Sequence, residues 1–171
     1  MAALQIGQED SNQMFKKILV GIDGTESTEN VVGIAADLAR HFEAELHVVC
    51  AVDPAYFLDE PDGARPTPVD EIDYPAAAIE REGADSLVRQ TVLELRARAV
   101  NAFGSVVPGE PVTMILETAH KLACDTIVLG HRHLSWLGRL TERSVCHELL
   151  EKSPIPVLVV PAEPAPASAS R

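Results

Sequence analysis

Four stretches of the chain are almost unbroken in Val, Ile and Leu. They are Lys17–Ile22, Glu45–Val52, Asp125–Leu129 and Val157–Val160, and each stops at a turn former: Asp23-Gly24, Asp53-Pro54, Gly130 and Pro161. Continuous apolar runs, rather than strict alternation, predict strands covered on both faces. Between them the apolar positions change to helical spacing. Val31, Ala35, Leu38 and Phe42 predict a helix from Ser27 or Thr28 to about Phe42. Val88, Val92, Leu95, Ala99 and Ala102 predict a second, from about Ile79 to Phe103. Val112, Ile115, Leu116, Ala119 and Leu122 predict a third, opened by Pro111 in a first-turn position. Val145, Leu149 and Leu150 predict a fourth, stopped before Ser153-Pro154.

Strands alternating with helices define an α/β fold with a mainly parallel sheet and helices on both faces. One strand is missing from the alternation, between the second and third helices. Only residues 104–109 are available there, enough for a short stub at a sheet edge, where shortness is tolerated. The chain of 171 residues makes one domain of ordinary size, expected over 15–160. Residues 1–14 are polar and aperiodic, and residues 161–171 are nearly all Pro, Ala and Ser; both are expected to be flexible.

Charge narrows the range of partners. There are 26 acidic and 14 basic residues, a net charge of -12, which excludes a general nucleic-acid coat or an anionic membrane-surface binder. Ten acidic residues against two arginines fall within residues 53–85, and prolines are frequent there. Residues 53–80 therefore read as a long acidic loop: a solvated connector, a lid, or a docking surface for a basic protein partner. No apolar run approaches the ~18–20 residues of a membrane span. The first residues lack the basic start and apolar core of a signal peptide. Cys50, Cys124 and Cys146 are far apart and form no CxxC pair, so a reducing cytosol is the expected compartment.

An open parallel sheet binds ligands beyond the carboxyl ends of its strands, where strand order reverses. Two loops are expected to meet there. In the first, Gly21-Ile22-Asp23-Gly24-Thr25-Glu26-Ser27, a carboxylate beside glycine and hydroxyl residues suits a ribose or a metal. The alternative is structural, with Asp23, Thr25 or Ser27 capping the helix that follows. The second runs from Gly130 to Val145 and enters a helix whose N-terminus favours anions. Arg132, Arg139 and Arg143 add positive charge to it, or pair with the acidic loop. His131 and His133, with His120 and His147 elsewhere, fall short of the convergent ligands a metal needs, so no metal is expected. Cys146 near a helix start is either a thiol of lowered pKa or a buried small residue. No catalytic Ser or Cys relay is visible, and GxSxG is absent.

The segments KKILVGIDGTESTENVVGIAADLA, LHVVCAVDP and CDTIVLGHRHLSWLGRLTERSVCHELLEKSPIPVLVVP together resemble the universal stress protein family, over about residues 15–52 and 109–161. The resemblance implies a five-stranded parallel sheet of order 3-2-1-4-5, a Rossmann-like arrangement, and usually a homodimer. It implies no common catalytic reaction; one branch binds ATP, with Mg, and the other does not. The ATP-binding branch carries Gly, two residues, Gly, nine residues, then Gly followed by Ser or Thr. On this chain the first position is Gly130, but the second is His133 and the third Arg143; Ser144 then matches, and Val145 follows it. The family's acidic residue after the first strand matches as Asp23, next to Ile22, and its adenine-contacting valine falls near Val49. Those glycines let the main chain approach the phosphates, so a side chain at either place fills phosphate space. Arg143 is alternatively a guanidinium clamp on a phosphate. The expectation is a cytosolic, homodimeric regulatory protein without turnover, its nucleotide binding weakened or lost. The rivals are an ATP-binding switch or slow ATPase, and an enzyme of the wider adenine-nucleotide α/β group. The last strand, with Val157, Leu158, Val159 and Val160, is the expected dimer edge.

Overall fold

A computed structural model describes residues 15–25, 27–52, 75–131 and 145–161, with the backbone alone for 75–80 and 131. The elements in chain order are β1 (Lys17–Gly21), α1 (Thr28–Phe42), β2 (Glu45–Val52), α2 (Pro75–Ala97), β3 (Asn101–Pro108), α3 (Pro111–Lys121), β4 (Thr126–His131), α4 (Val145–Lys152) and β5 (Val157–Pro161). All four strand pairings are parallel, in the order β3-β2-β1-β4-β5. This is the α/β architecture expected from the pattern, and the strand order is the one the family resemblance implies.

The continuous apolar runs bury both faces of the central strands. Ile18, Val20, Leu46, Val48 and Val128 face one core cluster, which includes Val31, Ala35 and Ala39 of α1 and Val88, Val92 and Leu95 of α2. Leu19, Val49, Ile127 and Leu129 face the other, with Val112, Ile115 and Ala119 of α3 and Leu149 of α4. Alternate residues of a strand point to opposite faces, so adjacent positions serve different clusters. The buried alanines of α1 allow that helix to lie close over β1 and β4.

Three boundaries differ from the sequence reading. β3 is not a stub: it has eight residues and pairs with β2 along its whole length. Correspondingly, α2 ends at Ala97 rather than Phe103. Ala99 takes a left-handed conformation, φ 59°, which stops the helix, and Ala102 is a strand residue in the core. At its other end α2 begins at Pro75, so residues 75–80 are helical and do not belong to the expected acidic loop; the remainder of that loop, 53–74, lies outside the described residues. A proline suits a helix start because its missing N–H has no intrahelical partner there.

Candidate functional site

β1 and β4 are neighbours whose connections run to opposite sides of the sheet, so the carboxyl ends of these two strands form the switch point. Beyond β1 the chain leaves through Ile22, Asp23, Gly24 and Thr25. Ile22 is outside the strand, yet its N–H still donates to the Val49 carbonyl of β2 at 2.9 Å. Asp23 is exposed and shapes the loop: its Oδ1 accepts from the Thr25 N–H at 3.0 Å, the Thr25 hydroxyl at 2.6 Å and the Thr28 hydroxyl at 3.4 Å. The Thr25 and Ser27 hydroxyls are 2.9 Å apart. This is an Asx-type turn. Ser27 occupies the N-cap position of α1 but makes no side-chain capping bond. The capping alternative is therefore corrected for Ser27: the hydroxyl and carboxylate groups bond one another beside the helix entry.

Beyond β4, Gly130 lies under the start of α1. A Cβ there would meet Val31 Cγ2 at 2.9 Å and Ser27 Oγ at 3.4 Å. The structure thus joins Ile22, Asp23 and Gly130 around the first turn of α1. Val49 reaches this rim only through its carbonyl, since its side chain is 1% exposed within the core. The Val49 side chain is therefore not open to a base. Val145 opens α4 and is partly exposed. Arg132, His133, Arg143 and Ser144 lie outside the described residues, as does the side chain of His131.

Sequence reasoning did not find the acidic surroundings of Cys50. This thiol is buried behind the Asp23 loop; burial pushes its pKa up, and the Asp23 and Asp85 carboxylates push it further. Asp85 comes from α2, and only the fold brings it and Asp23 to the same thiol. Cys146 is buried and its pKa is raised by burial, which corrects the lowered-pKa alternative. Cys124 is pushed up to about 11 by burial and by the neighbouring Asp125. None of the three thiols has the electropositive, open setting of a reactive cysteine.

A doubly wound parallel sheet with a polar loop at its switch point defines a nucleotide-fold protein of the Rossmann-like class. The sequence profile of the Universal stress protein family matches residues 14–161, so the chain belongs to that family. It is 26% identical to the stress response protein NhaX of Bacillus subtilis over 160 residues, covering 84% of this chain and 96% of that protein. It is 29% identical to the universal stress protein YxiE of Bacillus subtilis over 150 residues, covering 86% and 99%. Among solved structures, the universal stress protein UspA from Lactobacillus plantarum superposes with a TM-score of 0.67 at 22% identity, covering 87% of this chain and 99% of that one. A universal stress protein in complex with cAMP superposes with a TM-score of 0.60 at 24% identity, covering 86% and 97%. The Archaeoglobus fulgidus protein in complex with dAMP does so at 0.55 and 19%, covering 85% and 98%. These likenesses in structure establish the fold.

Proposed function

We propose that the chain is a non-catalytic binding module of the universal stress type, in which affinity for a nucleoside triphosphate is weakened at the phosphate half of the cleft. The observation that carries this reading is the packing of Gly130. It is the one glycine of the ATP-binding pattern that the chain keeps, and Val31 and Ser27 already require it to lack a side chain. Helix packing accounts for it, so its presence is no mark of a phosphate cradle. His133 and Arg143 stand at the other two glycine positions. A side chain there removes the close main-chain approach that a polyphosphate needs. Asp23, which would face the nucleoside, is retained.

The protein acts, on this reading, as a cytosolic homodimer that binds other proteins. Among the described residues β5 is a free sheet edge, with Leu158 37% exposed and Val157 and Val159 half-buried. Val160 is 2% exposed, so it offers a partner only its main chain. No described helix is long and apolar enough to cross a membrane. The acidic stretch beginning at Asp53 suits a basic protein partner.

A second reading is a nucleotide-dependent switch or slow ATPase acting with Mg. The complexes of same-fold relatives with cAMP and dAMP favour it. Both ligands carry a single phosphate and ask less of the missing glycines than ATP does. Mass spectrometry of the heat-denatured, purified protein separates the readings. The first predicts no co-purified nucleotide and no thermal shift with ATP-Mg. Stoichiometric ATP or ADP in the supernatant overturns it; a shift with AMP but not with ATP-Mg favours the switch with a monophosphate ligand.

A further inference from the structure

β3 ends the sheet, and among the described residues no strand pairs with its outer side. An open edge of eight residues is a template for strand addition, and proteins usually blunt such edges with charged side chains. The strand reads NAFGSVVP and carries no charge. Whatever protects it must come from elsewhere.

The two faces of β3 differ. Ala102 is buried in the core cluster that includes Leu95 of α2. A Cβ on Gly104 would lie 2.5 Å from Val88 and 2.8 Å from Val92, so α2 covers that face closely. Phe103 must then point to the opposite face. There it stacks on His47 of β2, with ring centroids 5.2 Å apart and planes 18° from parallel. Arg96, in the last turn of α2, reaches from the covered face to the backbone of β3 and toward the ring on its far face. Its Nε donates to the Ala102 carbonyl at 2.9 Å, and its guanidinium carbon lies 5.9 Å from the centre of the Phe103 ring. A side chain that starts over one face and ends against a ring on the other passes around the outer edge of β3.

We infer that Arg96 is a strap that closes the free edge of β3 to strand addition, and that the partner it excludes is a second copy of this chain. The edge asks a partner for main-chain donors and acceptors and for apolar cover over Phe103, which is 42% exposed. The same strand of another copy, antiparallel across a twofold axis, supplies both. Pro108 closes the far end, having no N–H to offer. The strap matters because, among the described residues, the sheet has a second unpaired edge at β5. If copies paired through β5 and also through β3, association would run past the dimer, into a closed tetramer or an open filament. This inference is independent of the nucleotide site.

The test compares the wild type with Arg96→Ala and Arg96→Leu by sedimentation velocity over a wide range of concentration. The wild type keeps one mass. In the variants the weight-average mass rises about twofold or more, and amide exchange over residues 102–107 slows as concentration rises. Adding Phe103→Lys to Arg96→Ala places a cation back on the edge and restores the wild-type mass. Adding Leu158→Asp instead leaves the association through β3 intact. Should Arg96→Ala fail to fold, Arg96→Leu keeps the stem packed and is read alone. A folded Arg96 variant with wild-type mass and unchanged exchange overturns the inference. So does an association that Phe103→Lys does not reverse.

Discussion

Two aspartates stand at opposite rims of the same sheet and do different work. Asp125, just before β4, is clasped by distant parts of the chain. Its Oδ1 accepts from the Phe15 N–H at 3.1 Å, its Oδ2 from the N–H groups of Lys16 at 2.7 Å and Lys17 at 3.2 Å, and its own N–H donates to the Lys17 carbonyl at 2.9 Å. Phe15, held in a left-handed conformation with φ 68°, also stacks on Phe42 with ring centroids 4.8 Å apart. Asp23, just after β1, bonds to Thr25 and Thr28 in its own loop. The amino rim joins segments far apart in sequence, so its contacts stabilise the fold. The carboxyl rim is locally held and exposed, and local bonds of this kind are the ones a ligand can replace at small cost. The proposed binding rim is thus the one held by local bonds among the described residues.

That contrast is broken most severely at Asp125. Asp125→Ala removes a carboxylate from three main-chain donors, and urea unfolding is expected to lose about 3 kcal/mol. A loss under ~0.5 kcal/mol would mean that the clasp is ornamental. Next comes the packing of the β3 side. Gly104→Val drives a Cβ against Val88 and Val92, at an expected cost of about 2 kcal/mol in the same measurement. At the entry to α3, the Glu110 carboxylate accepts from the N–H groups of Val112 at 3.0 Å and Thr113 at 2.8 Å. Burial opposes its charge, but these N–H groups, the Thr113 hydroxyl and Lys152 together lower its pKa below the ordinary 4.5. Its stabilisation is thus fully present above pH 4.5 and lost as pH falls through the lower folded value. Glu110→Ala is expected to cost about 1 kcal/mol at neutral pH, with a smaller difference from wild type once pH is below that value. An equal difference at all pH values would assign the effect to packing. The smallest effect falls on the carboxyl rim: Asp23→Asn is expected to change stability by less than about 0.5 kcal/mol.

The same division explains what the sequence made legible. β1, β2 and β4 are buried enough that their Val, Ile and Leu runs stand out, β5 is an apolar run despite its exposed edge, and β2 appears over the predicted Glu45–Val52. β3 has one face covered and an exposed edge, so its residues are largely polar or small and resemble a loop. The end of α2 was hidden for a related reason. Helices α1, α2 and α3 are followed by Glu43, Ala99 and Ala123 in the left-handed region, where glycine is the usual signal. With no glycine after Ala97, the apolar spacing of Ala99 and Ala102 simply continued. At the site, Asp23 and Gly130 were visible because they flank apolar runs. The acidic surroundings of Cys50 were not, because they depend on β2 pairing beside β1 and on α2 bringing Asp85 near the thiol. The Arg96 strap was invisible too: nothing in its spacing distinguishes it from any other arginine on a solvated helix face.

The nucleotide cleft itself is tested most directly by isothermal titration of ATP-Mg into the wild type and into His133→Gly with Arg143→Gly. The account predicts no saturable binding by the wild type and a gain of at least about tenfold in affinity for the double variant. Tight binding by the wild type, or a folded double variant that stays blind to ATP, would contradict it.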